Sequence, residues 1–410
     1  MDTQITDAQI TLLKQLSKKI NKTITNYKCS KKIRKRKTRI IDAVAFKLLY
    51  GENKSTQHSA TADLNMFLNI SNKKEMLSRV SLIEKEDNVS IDLYKNISIC
   101  LDEFIKQLNY KSFKHHIYAV DGTNVTMDKE HSKHGYPSNQ NPHIAFGYIM
   151  GLYDITLNAP ITLDLCKNKS ERKAFLDYMK TSDNYKDSIF IFDRGYFGNE
   201  MIEFFESKEL KYLFRLKENL HIVQELNGNN EIKIYRDKSI RVIKYIINDK
   251  NYFLGTNLLD DKEFSVDTLK QLYHERWKIE EYFKHIKSVC KLSDMKEKNE
   301  NNFHKTVLSQ LIISQITHIL QAIINKNKPL NEKYVVNKTL LTNGIYKAFI
   351  LNFIYNKGFS NKKIKQFLLI FIQYTHTQKG KSYIRVAIRP YKKWNSVACR
   401  TKENKKKNKT

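Results

Sequence analysis

At Ile117 the spacing of apolar residues changes, and that change limits the folds open to this chain. Before it, apolar residues recur at helical intervals. Ile10, Leu13, Leu16 and Ile20 form one such stripe, and "RIIDAVAFKLLYG", "SATADLNMFLNI", "KKEMLSRVSLIEKE" and "SIDLYKNISICLDEFIKQL" continue the pattern. After it come short apolar runs, "IYAVDGT", "HIAFGYIMGLYD", "PITLDLC" and "SIFIFDRGYFG", which read as strands, with a turn near Asn158 between the second and third. "ERKAFLDYMK" and "NEMIEFFESKE" read as helices among them. Strands interleaved with helices predict an α/β sheet domain behind an all-helical N-terminal region.

From His221 to Leu259 apolar and polar residues alternate, with turn signals at Asn227-Gly228 and Asn248-Asp249. This predicts a small antiparallel sheet inserted before the final long helix. The last third is helical again and ends in the basic "RPYKKWNSVACRTKENKKKNKT", whose composition is that of a disordered tail. The expected boundaries are 1–110 for the helical N-terminal region, 111–208 with 260–325 for the α/β core, 209–259 for the β insertion, and 326–410 for the helical C-terminal region and tail.

Lys and Arg number 72 against 43 Asp and Glu, a formal charge of +29, which favours a polyanionic partner and nucleic acid in particular. The run "KKIRKRKTR", Lys31 to Arg39, suits a phosphate-contacting arm, a solvated segment or a nuclear-import signal. No apolar run suggests a membrane span, and the N-terminus lacks an apolar signal core. Cys29, Cys100, Cys166, Cys290 and Cys399 are too scattered for a zinc site or a disulfide framework and fit a reducing compartment. The expectation is an intracellular protein: cytoplasmic and nucleoid-associated in a bacterium, nuclear or in a viral factory in another host.

Asp121 and Asp193 each close an apolar run, at strand ends where open α/β sheets place their sites. A third acid comes from "LYHERWKIEEYFKHIKSVCKL", Leu272 to Leu292, taken as one helix. At about 100° per residue, Glu280 shares a face with Tyr273, Arg276, Lys284, Lys287 and Lys291, while Glu275 and Glu281 point about 80° or more away. Leu272, Ile279, Phe283, Ile286 and Cys290 supply the core stripe. Three carboxylates suffice for two Mg²⁺ ions, with Mn²⁺ able to substitute, and two such ions promote in-line displacement at phosphorus. The cations beside Glu280 would hold a DNA backbone. Taken singly, Asp121-Gly122 is also a plain turn, Asp193 a helix cap, and Glu280 the middle of ordinary i, i+4 ion pairs.

Tyr273, Arg276, Glu280 and Lys287, in that spacing, resemble the YREK signature of cut-and-paste insertion-sequence transposases with a DDE triad. "DRGYFG" is similar to their second-aspartate motif, "AVDGT" to their first, and "RPYKKW" to their C-terminal stretch. The resemblance covers about Ile117 to Lys291. It implies a ribonuclease-H-like core interrupted by a β-rich insertion, with Asp121, Asp193 and Glu280 as catalytic and metal-binding residues. It also implies phosphate contacts from Arg276 and Lys287, with Tyr273 holding terminal nucleotides. Arg194, Lys284 and Lys291 are the further DNA contacts expected. The implied partners are double-stranded DNA, as inverted repeats and target, and a second copy of the chain in a synaptic dimer. In such enzymes the released 3′-hydroxyl forms a hairpin while an aromatic stacks on a flipped base. The insertion has no Trp, so Tyr235 and Tyr245 are its candidates, and Trp277 lies in the signature helix itself. Two alternatives stand beside this: a metal-dependent nuclease of the same fold that does not transfer strands, and a repurposed protein that only binds DNA.

Overall fold

In the computed structural model, the residues described are 6–28, 38–50, 56–108, 115–138, 144–167, 170–181, 185–289, 292, 297–327, 338–358 and 360–373. Most of the basic run before Arg39, Lys291, Cys29, Cys290, Cys399 and the C-terminal basic tail lie outside them.

Five helices come first: α1 (Asp7–Thr25), α2 (Ile40–Tyr50), α3 (Gln57–Phe67), α4 (Arg79–Asp87) and α5 (Ile91–Leu108). Thr6 begins α1 with a reciprocal cap, its hydroxyl accepting from Gln9 N–H while the Gln9 side chain accepts from Thr6 N–H. The expected apolar stripe of α1 is buried, with Ile24 added. The α4 helix starts at Arg79, behind a Ser78 cap, and not at Lys73 where the pattern suggested: residues 73–75 form a turn.

The sheet and its helices follow as β1 (Ile117–Asp128), β2 (Ile144–Asp154), β3 (Ala159–Cys166), α6 (Glu171–Lys180), β4 (Ile189–Phe192), α7 (Asn199–Ser207), β5 (Lys211–Arg215), α8 (His221–Gln224), β6 (Asn230–Tyr235), β7 (Lys238–Ile247) and β8 (Lys250–Thr256). All eight strands form one mixed sheet in the order β3-β2-β1-β4-β5-β8-β7-β6. β1, β4 and β5 are parallel; the other pairings are antiparallel. The α/β expectation holds, but the inserted strands do not form a sheet of their own. β8 pairs with β5 through Leu213↔Thr256 and Phe214↔Gly255, so the insertion lengthens the central sheet. Its first turn is also not at Asn227-Gly228, which precedes β6. The β6–β7 turn is Arg236-Asp237, both at positive φ (46° and 65°). Asn248-Asp249 does turn β7 into β8, again with both φ positive.

Alternation along β4 and β5 divides two cores. Ile189, Ile191 and Leu213 face one, while Phe190, Phe192, Tyr212 and Phe214 face the other, packed with Phe175 of α6 and Phe205 of α7. The first face is covered by α9 (Val266–Glu275), α10 (Trp277–Ser288) and α11 (Glu300–Asn327), followed by α12 (Lys338–Ala348), α13 (Ile350–Tyr355) and α14 (Asn361–Gln373). The N-terminal helices share this core, and α5 and α2 lie against α11. Fully buried Lys305 of α11 donates to the Glu86 and Val89 carbonyls and pairs with the Glu86 carboxylate at 3.0 Å, fixing α4 to it.

The absence of a run long enough to span a membrane, expected from the sequence, does not hold. Over Glu300–Ile324, α11 is long and apolar enough, by length and composition, to cross a membrane. It is apolar on all sides because protein surrounds it, with 78% of that window buried. Its Ser309, Ser314 and Thr317 hydroxyls donate to carbonyls four residues back, which satisfies them inside the core.

At the other end of the sheet, His116 lies 3.1 Å from the buried carboxylate of Asp154. The hydrogen bond to Asp154 holds its imidazolium above the ordinary value of 6.5, against desolvation, with Lys106 opposing and Asp102 assisting. This pair's stability contribution is full below pH 6.5 and is lost as pH rises through the raised value. It is small, because the imidazole is half exposed. Thermal melting between pH 6 and pH 9 should show a decline in wild type that is shallower in His116→Asn.

Candidate active site

Three separate segments meet at the carboxyl end of β4. The parallel ladder between β1 and β4 stops at Val120↔Phe192, so Asp121 and Asp193 are the next residues on adjacent strands. Asp193 directly follows the last residue of its strand, at the strand end as expected. Asp121 does not, since β1 runs on to Asp128 because β2 pairs with it all the way. Asp121 therefore sits mid-strand, at the point where its neighbour changes.

Glycines bring other elements close. Gly151, directly opposite Asp121, lies under α10: a Cβ there would be 2.8 Å from Phe283 Cζ. That contact lowers α10 onto the strand. On the other face, a Cβ on Gly122 would overlap the Tyr148 hydroxyl, which is 3.3 Å from that of Tyr196. The glycine of "AVDGT" thus makes room for a buried tyrosine pair.

The helix carrying the third acid is not continuous. α9 and α10 meet at Arg276, where Arg276 N–H reaches Tyr273 O and Ile279 N–H reaches Arg276 O. These three-residue steps make one tight turn. The polar face survives it. Tyr273 donates to Asp193 Oδ1 at 3.2 Å, and Arg276 lies 2.5 Å from Glu280 Oε1 and 3.7 Å from Asp121 Oδ2. Arg276 is only 5% exposed, with its guanidinium also over the Tyr273 ring. In this state it faces the acids and not solvent.

Burial raises the Asp121 carboxyl above its ordinary range; Glu280 and Asp193 push it further, while Gly122 N–H and Arg276 pull it back. Burial lowers the Lys287 ammonium below its ordinary value, partly offset by Asp121. Lys284 is exposed and lies over the ring of Trp277, itself 52% exposed, and Arg194 projects outward beside Asp193. Two residues that sequence reasoning did not single out also belong here. Arg215 of β5 stands 3.8 Å from Asp193, and Glu171 of α6 is close enough for Asp121 and Asp193 to raise its carboxyl, after burial. A first-turn acid on a helix looks like an ordinary dipole partner, so Glu171 carries no sequence signal of its own.

Among the described residues no three His, Cys, Asp or Glu form a ready ligand set for a metal ion. The donor chemistry nevertheless suits a hard divalent cation, being all carboxylate oxygen. The Arg276 guanidinium occupies the cation position between Asp121 and Glu280.

The family model of the transposase DDE domain matches residues 112–316, half of the chain, which includes all three acids and the inserted strands. A protein of Synechocystis sp. (strain PCC 6803), provisionally named as the transposase for insertion sequence element IS4SA, is 26% identical over 141 residues. That match covers 33% of this chain and 42% of the relative's length. Among solved structures, the piggyBac transposase in its synaptic complex with hairpin DNA superposes with a TM-score of 0.45 at 11% identity, over 94% of this chain and 86% of that one. That likeness is too loose to carry anything over. With the family-model match spanning half of its length, the chain belongs to the transposase DDE-domain family.

Proposed function

We propose that the protein is a DNA transposase that cleaves DNA at the ends of its own element and joins them to target DNA. What supports this is the approach of Asp121 and Glu280, from distant segments, to one buried guanidinium, with Tyr273 of the same helical stretch donating to Asp193. The core is read as ribonuclease-H-like, with residues 209–259 as its insertion and the helical regions 1–110 and 326–410 flanking it.

Asp121, Asp193 and Glu280 would hold divalent cations, two Mg²⁺ in the full reading. Bound there, Mg²⁺ would supply charge neutralisation at phosphorus and activation of water or a 3′-hydroxyl. The chain's own groups do the rest. Arg276, released from its carboxylates, turns to a backbone phosphate. Lys284, Lys287, Lys291 and Arg194 hold the duplex on either side, and Tyr273 orients Asp193 and the terminal nucleotides. Tyr245 and Tyr252 stack at 5.5 Å, with Arg215 over Tyr252, and Arg215 in turn reaches Asp193. This supports Tyr245 over Tyr235 as the aromatic for a flipped base, because Tyr245 packs on the core that α10 covers and Tyr235 on the opposite one, against Phe197. Two copies would act on paired ends.

Wild-type protein incubated with labelled duplexes bearing the terminal repeats that flank its gene should nick them in Mg²⁺ but not in EDTA. With a target plasmid present, it should yield joined products. Nicking without joining would identify a nuclease. Binding without cleavage in Mg²⁺ or Mn²⁺ would identify a DNA-binding protein.

A further inference from the structure

We propose that the outer edge of β6 pairs antiparallel with the same strand of a second copy of the chain, joining two sheets across a twofold axis at Ile232. The inference rests on the sheet alone and stands apart from the chemistry proposed above.

β6 is the last strand of the sheet, and among the described residues its strand neighbour is β7. Lys244 N–H donates to Asn229 O at 2.8 Å, and the ladder alternates from there, with Asn230 opposite Ile243. Glu231, Lys233 and Tyr235 therefore turn their main-chain groups to β7, while Asn230, Ile232 and Ile234 turn theirs outward. Such an edge is ordinarily guarded by charge. Here the charged side chains lie together on one face. Lys233 pairs with Glu231 at 2.7 Å and donates to Glu225 O at 2.8 Å, on the side where Tyr235 packs on Phe197. The other face presents Ile232 and Ile234, 56% and 67% exposed. Arg241, opposite Ile232 on β7, is buried and donates to the Leu258 and Phe264 carbonyls.

Charge selects one antiparallel register of β6 against itself. Centring on Glu231 or Lys233 sets each against its own copy, and centring on Ile234 sets Glu231 against Asp237. Centring on Ile232 sets Glu231 against Lys233 of the second copy, and by symmetry the reverse. The two Ile232 side chains then meet, and Ile234 lies beside Asn230 of the second copy. These are the residues whose main-chain groups point outward, so they form the hydrogen-bonded pairs. Glu231 and Lys233 fall in the closer, non-hydrogen-bonded pairs, where side chains approach best. A strand that is its own charge complement fits a second copy of itself.

Disulfide trapping on the full chain tests this. The two Ile232 Cα atoms would be about 5.5 Å apart, within disulfide reach, and the two Ile234 Cα atoms about 14 Å apart. Mild oxidation of Ile232→Cys should give a covalent dimer well above the level in Ile234→Cys and in wild type, whose own cysteines set the background. Both positions are exposed, so neither cysteine disturbs the core. Sedimentation over a concentration series should show reduced wild type self-associating. The association should be about tenfold weaker in Glu231→Lys and recover when Lys233→Glu is added. Equal trapping at the two positions, more at Ile234, or unaltered association in Glu231→Lys would overturn the pairing. A wild type that stays monomeric throughout would overturn it too, leaving the edge to a strand of a different protein.

Discussion

Replacing Asp121 or Asp193 by Asn, or Glu280 by Gln, is expected to slow nicking of the terminal-repeat duplex by at least about 10³-fold, as loss of a group acting at the reacting centre does. Each amide keeps the shape of the acid and removes its charge. Unfolding should follow a different order. Because burial raises the Asp121 carboxyl, ionising it at neutral pH costs the folded state more than the unfolded one. Its stabilising share is present only below the ordinary carboxylate range and is gone at pH 7. Asp121→Asn should therefore melt at or above the wild-type temperature while losing activity. Thermal melting beside the nicking assay checks both, and an active Asp121→Asn protein would remove that residue from the chemistry.

Arg276→Met should show the converse. It removes the cation between Asp121 and Glu280 and leaves their charges facing each other. Breaking a buried pair costs about 3–5 kcal/mol; with solvent reaching both carboxylates here, a loss of about 2 kcal/mol is expected. Divalent cation should return much of it, since an ion that binds only the folded state stabilises it by mass action. The variant's melting temperature should thus rise more on adding Mg²⁺ than the wild type's does, while nicking falls for want of a phosphate contact. Urea unfolding with and without Mg²⁺ measures this. Unchanged stability in the metal-free variant would mean that the guanidinium is no counter-ion.

Much of this site can be read from local pattern. A run of four or five apolar residues closed by an acid marks a strand leading to a polar edge, and Asp193 behaves that way. The shared face of Tyr273, Arg276 and Glu280 follows from helical spacing and survives the turn at Arg276, because one tightened step rotates the face only slightly. What local pattern misses is decided at a distance. Asp121 lies mid-strand because β2, over twenty residues on, keeps pairing past it. The insertion joins the main sheet because β8 finds β5, about forty residues earlier in the chain. Asn227-Gly228 has good turn chemistry, yet Gly228 N–H is held by the Glu231 side chain ahead of β6 and the hairpin closes later. Arg276 looks from spacing like a surface cation, and only the packing of α10 over Gly151 shows it turned inward.

On the proposed function, Asp121, Asp193 and Glu280 together hold a divalent cation. Iron(II)-directed backbone cleavage tests it most directly: the protein is loaded with Fe²⁺, exposed to ascorbate and peroxide, and its fragments mapped. Cuts clustered near Asp121, after Asp193 and in the first turns of α10, suppressed by excess Mg²⁺, are the predicted result. Cuts confined to other segments, or none that Mg²⁺ competes away, would contradict it.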